Sequence, residues 1–296
     1  MIPIDDWRRS GISFEFRGHR LRFYEGGRAE GETLLLIHGF PTAAWDWHRL
    51  WGPLGERFRL LAPDLLGYGF SDKPRNIAYS FALQADICEA LLRHRCVERF
   101  HVLAHDYGDT VAQELLARGG DGPDRGLASV CLLNGGIFPE RQQPRPIQRM
   151  LASPLGPLLC RLISRRQAMH SLSEVFGPQT RPDEATRSAL WQMMDYAQGR
   201  RVMPQLLGYL RERMIHRDRW VGALVDCPLP LMFIDGTLDP VSGANMVARW
   251  RELLPGAGLE ELPGIGHYPQ LEAPESVLAA YLPFLQQAIE SRQKDL

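Results

Sequence analysis

The sequence predicts an α/β protein: an eight-stranded, mostly parallel sheet with a helical insertion between its sixth and seventh strands. Three observations predict it. Short apolar runs alternate with segments of helical periodicity, the pattern of strand–helix–strand units whose parallel strands are covered on both faces. Several of the runs stop abruptly at corners rich in Gly, Asp or Asn. The alternation then lapses over residues 137–226 and resumes.

Ile12–Phe16 and Leu21–Tyr24 read as an antiparallel pair joined at Gly18-His19, where glycine tolerates a tight turn. Thr33–Ile37 is an apolar strand ending at His38-Gly39-Phe40-Pro41, and Arg59–Ala62 ends at Pro63-Asp64. Helical spacing over Tyr79–Arg95 leads to the strand Phe100–Ala104. That strand ends at His105-Asp106-Tyr107-Gly108, and a helix over Thr110–Ala117 follows at once. Leu127–Leu133 ends at Asn134-Gly135-Gly136. Residues 137–226 hold prolines, many arginines and helical spacing in Leu190–Tyr196 and Leu206–Ile215, with no strand pattern. Pro228–Ile234 restores the sheet, Gly258–Leu262 adds a weaker strand, and a helix over Pro274–Ile289 closes the chain. Residues 1–136 and 227–296 therefore form one sheet domain. Residues 137–226 are expected to be a helical lid over the carboxyl edge of the sheet, where open α/β folds place their ligands.

The 296 residues are 45% hydrophobic, enough for one substantial core with an insertion. A net charge of −1 gives no footing for nucleic acid or an anionic membrane as the main partner. The five cysteines are dispersed without a C-x-x-C pair, so neither a disulfide framework nor a zinc site is expected. No apolar run approaches the ~18 residues of a membrane span. The opening MIPIDDWRRSG is charged and unlike a secretory signal. A cytoplasmic protein without an integral membrane segment is the expectation; nothing in the sequence addresses its oligomeric state. The glycine-rich stretch Asp64–Asp72 lacks the Gly-Lys-Ser/Thr of a phosphate loop, and neither cofactor nor metal is expected.

Three polar residues lie at or beyond predicted strand ends in a telling order. Asp106 follows Phe100–Ala104, Asp239 follows Pro228–Ile234, and His267 follows Gly258–Leu262. Nucleophile, acid, histidine is the chain order of a hydrolase triad built on a strand-to-helix elbow. Each residue alone has a plain structural reading, Asp106 as a helix cap and Asp239 as a turn former. Their coincidence favours catalysis. An elbow projects its side chain above the sheet beside the first amides of a helix, and Gly108 permits the close approach that the elbow needs. The helix terminus favours an ionised carboxylate there. Asp239 would fix the tautomer of His267 and stabilise its imidazolium. Asp109 is read as a first-turn acid favourable to the helix dipole. The backbone amides of Phe40 and Tyr107 could pair as oxyanion donors, and His38 and Pro41, from the same His38-Gly39-Phe40-Pro41 segment, are expected on the substrate side.

HGFP at 38–41, DLLGYGFSDKP at 64–74, HDYG at 105–108, LDP at 238–240 and GIGHYPQLEAPE at 264–275 resemble the α/β-hydrolase fold family, in its branch of epoxide hydrolases and haloalkane dehalogenases. HDYGDTVAQELL, LLNGGIFPE, FGPQTRP, RWVGAL and HYPQLEAP are further similar to the mesoderm-specific transcript proteins of animals, and this similarity reaches into the insertion. The resemblance implies a covalent route: Asp106 attacks a saturated carbon, and His267, supported by Asp239, activates water to hydrolyse the alkyl-enzyme ester. It also implies epoxide opening assisted by lid tyrosines. Tyr209 in LLGYLRER is similar to such a tyrosine, with Tyr196 in MMDYAQG as a second candidate. Dehalogenases usually carry Trp after the nucleophile, whereas this chain has Tyr107 there. The resulting expectation is an epoxide-hydrolase-like enzyme acting on a small apolar molecule and water. A haloalkane dehalogenase, an acyl-bond hydrolase and a non-catalytic ligand- or partner-binding protein on the same fold are the alternatives.

Overall fold

The structure, a computed structural model, describes residues 2–119 and 126–293. Its sheet has eight strands: β1 (Ile12–Phe16), β2 (His19–Gly27), β3 (Thr33–Ile37), β4 (Arg59–Asp64), β5 (Phe100–His105), β6 (Leu127–Leu133), β7 (Leu231–Gly236) and β8 (Gly258–Leu262). They lie in the order β1-β2-β4-β3-β5-β6-β7-β8. The pairs β1–β2 and β2–β4 are antiparallel and all others parallel. Every residue of β3, β5 and β7 is buried, as parallel strands covered on both faces require. The edge strands β1 and β8 carry exposed or half-exposed acids, Glu15, Glu260 and Glu261, which discourage edge-to-edge pairing.

The predicted strands are all present, and the differences are local. β2 extends through Glu25–Gly27 because its backbone keeps pairing with Arg59–Leu61. β7 begins at Leu231 because Pro228 and Pro230 have no N–H to give a ladder. Leu206–Ile215 is broken into two helices, Met203–Leu206 and Tyr209–Ile215, around Leu207 and Gly208. An unforeseen helix, Ile4–Ser10, buries Trp7 against Tyr24 and Trp51.

Between β6 and β7 the described chain is helical, with no strand. Its last helix, Arg217–Val225, lies against the helix Tyr107–Gly119: the Trp220 indole and the Arg219 guanidinium both donate to Glu114. Among the described residues no helix is long and apolar enough to cross a membrane.

Candidate active site

The corner after β5 is a strained turn. Asp106 has φ 48°, the left-handed region that side chains with a Cβ rarely occupy. Its amide is held by the Leu133 carbonyl of the neighbouring strand (3.0 Å), and its own carbonyl accepts from the Asp109 amide (3.2 Å). The helix Tyr107–Gly119 then presses on β3. A Cβ on Gly108 would stand 2.3 Å from the Ile37 carbonyl oxygen, so only glycine fits there without displacement. The turn lifts the Asp106 carboxylate above the parallel strands' carboxyl ends. The Phe40 amide donates to its Oδ2 at 3.0 Å. Tyr107 opens the helix, so its amide has no acceptor within it.

His267 faces this carboxylate. Its Nε2 is 3.9 Å from Asp106 Oδ2, and its Nδ1 is 2.7 Å from Asp239 Oδ2. The imidazole therefore stands between two carboxylates. The loop carrying it is pinned on several sides: its amide donates to Val175, its carbonyl contacts the His105 ring, and Glu272 accepts from the Gly266 and Tyr268 amides. Glu272 also accepts from the Gly177 amide, which ties the insertion to the histidine loop. Asp239 accepts from Asn134, Ser242 and the Val241 amide at 3.1, 2.7 and 2.8 Å. Asn134, at φ 45°, ends β6 as Asp106 ends β5, and its side chain locks the Gly236 backbone by both a donated and an accepted bond.

Charge at the site is set by these contacts. Burial opposes ionisation of Asp106, but the contact with His267, and then the charges of His267 and Arg213, outweigh it and hold the carboxyl well below the usual range. Burial likewise opposes charge on His267, yet Asp239 and Asp106 together push it well above the ordinary histidine value. The imidazole thus faces two carboxylates, and each favours its protonated form. Asp109 does not serve as a dipole partner on an open helix turn. It is fully buried, and burial first, then the Asp106 charge, raise it well above the normal range and favour the neutral acid. Its Oδ2 would lie 2.1 Å from a Cβ on Gly135.

Arg213 was not foreseen. Its fully buried guanidinium donates from Nη2 to the Asp106 carbonyl (2.9 Å) and from Nε to Thr110 Oγ1 (2.8 Å). The residue is four positions after Tyr209 on the same helix, and that spacing, which puts both on one face, was the available signal. The Tyr209 ring lies under the guanidinium, 4.7 Å from it. The Tyr209 hydroxyl accepts from Gln148 Nε2 at 3.1 Å. Burial, then the Asp106 charge, keep that phenol protonated.

A cavity of about 260 Å³ opens beside Asp106 and His267. Phe40, Pro41, Asp106 and His267 line it from the sheet side. Residues between β6 and β7, such as Leu151, Ile163, Leu172 and Met194, give an apolar opposite wall, with Gln148 among the few polar ones. Of the four predicted substrate contacts only Pro41 is on its lining; the Tyr209 hydroxyl meets the lining through Gln148, and the other two are turned elsewhere. His38 is turned inward: Nδ1 meets the Gly39 carbonyl and Nε2 accepts the Leu65 amide, so both ring nitrogens serve the backbone. Burial lowers its pKa to about 4, leaving it neutral. Tyr196 packs on Phe70, Arg8 and Lys73, in a different depression beside the N-terminal helix, because a kink at Ala197–Gln198 redirects the chain. The Tyr107 side chain packs among Phe81, Tyr68 and Tyr209 rather than on the cavity. Among the described residues no three His, Cys, Asp or Glu side chains are grouped to hold a metal ion.

A family model described as "Alpha/beta hydrolase family" matches residues 34–280. The mesoderm-specific transcript protein of Mus musculus is 41% identical over 293 residues, covering 95% of this chain and 88% of that protein. The "Putative hydrolase LipZ" of Mycobacterium tuberculosis (strain ATCC 25618 / H37Rv) is 40% identical over 284 residues, covering 95% and 98%. Among solved structures, the haloalkane dehalogenase DbeA from Bradyrhizobium elkani USDA94 superposes with a TM-score of 0.80 at 20% identity, covering 95% and 99%, a likeness of fold.

Proposed function

The chain belongs to the alpha/beta hydrolase family, and from that premise we propose that it is an epoxide-hydrolase-like enzyme with Asp106 as nucleophile, acting on a small apolar substrate. The observation that carries the reading is the order of side chains at the cavity. An ionised carboxylate stands on the elbow, with His267 Nε2 3.9 Å away and Asp239 behind the imidazole.

In the first step one Asp106 carboxylate oxygen attacks an epoxide carbon, the carbon–oxygen bond breaks, and the Tyr209 hydroxyl gives its proton to the departing oxygen. Asp106 is now an uncharged ester. His267 no longer faces that charge, so it releases a proton, and Tyr209 is one proton short; together they return to neutral phenol and neutral imidazole. His267 Nε2 next takes a proton from water as its oxygen adds to Asp106 Cγ. The amides of Phe40 and Tyr107 receive the resulting oxyanion. Collapse expels the alcohol oxygen with a proton from His267, and the regenerated carboxyl ionises back onto the imidazole. Residues 137–226 act as the lid, excluding bulk water and setting substrate shape.

The same triad would serve a carbon–halogen bond, but the side chains of Phe40 and Tyr107 offer no N–H to a leaving halide. The decisive experiment uses His267→Gln, which stalls the ester. Intact mass spectra after exposure to an epoxide panel are expected to show an adduct that maps to Asp106. No adduct with epoxides that the wild type consumes refutes the mechanism, and halide release from haloalkanes reassigns the leaving group.

A further inference from the structure

A net charge of −1 conceals a strong local imbalance. Between residues 141 and 173 the chain carries Arg141, Arg145, Arg149, Arg161, Arg165 and Arg166 and no Asp or Glu. Arg145 pairs with Glu174 and Arg165 with Glu184. Arg149, Arg161 and Arg166 are exposed and make no ion pair among the described residues.

The helices under this charge present an apolar stripe. On and beside Gly156–Leu162, Leu155, Leu158 and Leu162 are 64%, 57% and 69% exposed. Their i, i+3, i+7 spacing places them on one helix face, the arrangement that normally marks a buried side. Met150, on the neighbouring helix Pro146–Leu151, is also exposed. The opposite face of Gly156–Leu162 is already occupied, with Cys160 buried against the core. Leu151, Cys160 and Ile163, from the same stretch, line the cavity that holds Asp106. Scattered exposed leucines are ordinary, whereas a contiguous stripe marks a contact surface.

We propose that this face docks on an anionic lipid surface, the leucines entering the headgroup boundary and the free arginines pairing with lipid phosphates. Leucines on one helix face, with Arg161 on the same helix and Arg149 and Arg166 on the helices before and after it, match the composition of helices that lie in the membrane interface plane. A second copy of the chain fits poorly, because a twofold contact through this face would set its arginines against their own counterparts. The inference rests on the proposed function only for its use, which is to bring the cavity wall to a surface where apolar substrates concentrate.

Vesicle flotation tests it in the absence of any substrate, so its outcome is read apart from the Asp106 adduct. The full chain is mixed with phosphatidylcholine vesicles with or without phosphatidylglycerol. Wild type is expected to partition onto the anionic vesicles. Arg149→Gln/Arg161→Gln/Arg166→Gln should lose about a hundredfold in partitioning, and Leu155→Ser/Leu158→Ser/Leu162→Ser at least about tenfold. The leucine variant should keep its circular dichroism and its hydrolysis of a water-soluble substrate, since those leucines do not line the cavity. Equal binding by wild type and the leucine variant, or no binding of wild type to anionic vesicles, overturns the proposal. So does a wild-type dimer in sedimentation velocity that the leucine variant abolishes, which would make the face a self-interface.

Discussion

Arg213 holds Asp106 from behind: its Nη2 donates to the main-chain oxygen of Asp106 at 2.9 Å and stands 3.7 Å from the carboxylate Oδ1. A buried cation beneath the elbow does two things at once. It supports a backbone turn at positive φ, and it favours the ionised carboxylate against the pull of burial. Arg213→Met should therefore lower unfolding free energy by about 3–5 kcal/mol, because it strands a buried charge. In the variant that still folds, the acid limb of kcat/KM should move to higher pH as Asp106 loses a stabilising neighbour. Arg213→Lys keeps the charge but not the fork to Thr110 and should fall between. Urea unfolding and a pH–rate profile measure both effects. An unmoved acid limb in folded Arg213→Met would show that the arginine is structural only.

The two candidate tyrosines separate cleanly in space, which gives a paired prediction. Tyr209 contacts Gln148 and Phe40, both on the cavity lining, and lies beside Tyr107. Because its oxygen accepts from Gln148, its own proton remains available to another acceptor. Tyr209→Phe should slow epoxide turnover by about 10²–10⁴-fold, the usual worth of a positioned general acid. Tyr196→Phe should leave the rate within about twofold, since its ring packs on Phe70 away from the cavity. Steady-state rates on one epoxide decide it, and equal losses in the two variants would remove the special role of Tyr209.

The charge pattern around His267 predicts that the two chemical steps respond to pH differently. Alkylation needs ionised Asp106, which is held well below the usual carboxylate range, so kcat/KM should stay level far into acid. Ester hydrolysis needs neutral His267, a group pushed above its ordinary value by Asp239 and Asp106 while both are charged. In the ester only Asp239 remains charged. Lowering pH through the His267 value in the ester should then depress kcat first and let the ester accumulate. Rapid-quench mass spectrometry at successive pH values follows that accumulation; kcat and kcat/KM falling together would contradict it.

Much of this candidate site was legible in sequence because the proposed triad depends on chain order and on strand ends, and both survive in a one-dimensional reading. Asp106, Asp239 and His267 converge as their order implied, and so does the Phe40 amide. What failed depended on side-chain direction. His38 sits in a site motif, yet its ring turns inward to bond Gly39 and Leu65. Tyr196 ends a helix whose exit kink sends it to another face, and no periodicity reports a kink at Ala197 and Gln198. Asp109 read as a first-turn acid favourable to the helix dipole because burial of such an acid depends on what packs over it, here the chain at Gly135. Arg213 was hidden among the many arginines of the insertion, since only tertiary contact separates a buried guanidinium from an exposed one.

The inward-turned His38 carries a final prediction, on stability rather than rate. Burial, partly offset by its bond to Gly39, lowers its pKa from 6.5 to about 4 in the folded state. Between those values the unfolded chain binds a proton that the folded chain does not. Stability therefore rises with pH across the window and falls as pH drops from 6.5 to about 4, below which the penalty is constant. The full difference is on the order of 3 kcal/mol. His48, also lowered to about 4, adds a similar dependence of its own, so the contribution of His38 is read from a variant. His38→Gln retains an acceptor for the Leu65 amide and does not titrate. Its own stability at neutral pH can be lower without affecting the test. As pH falls through the window, the wild type should lose about 3 kcal/mol relative to this variant in urea unfolding. A difference that stays constant with pH would mean that His38 is charged in the folded protein, which its two backbone contacts do not allow, since the Leu65 amide needs an unprotonated Nε2.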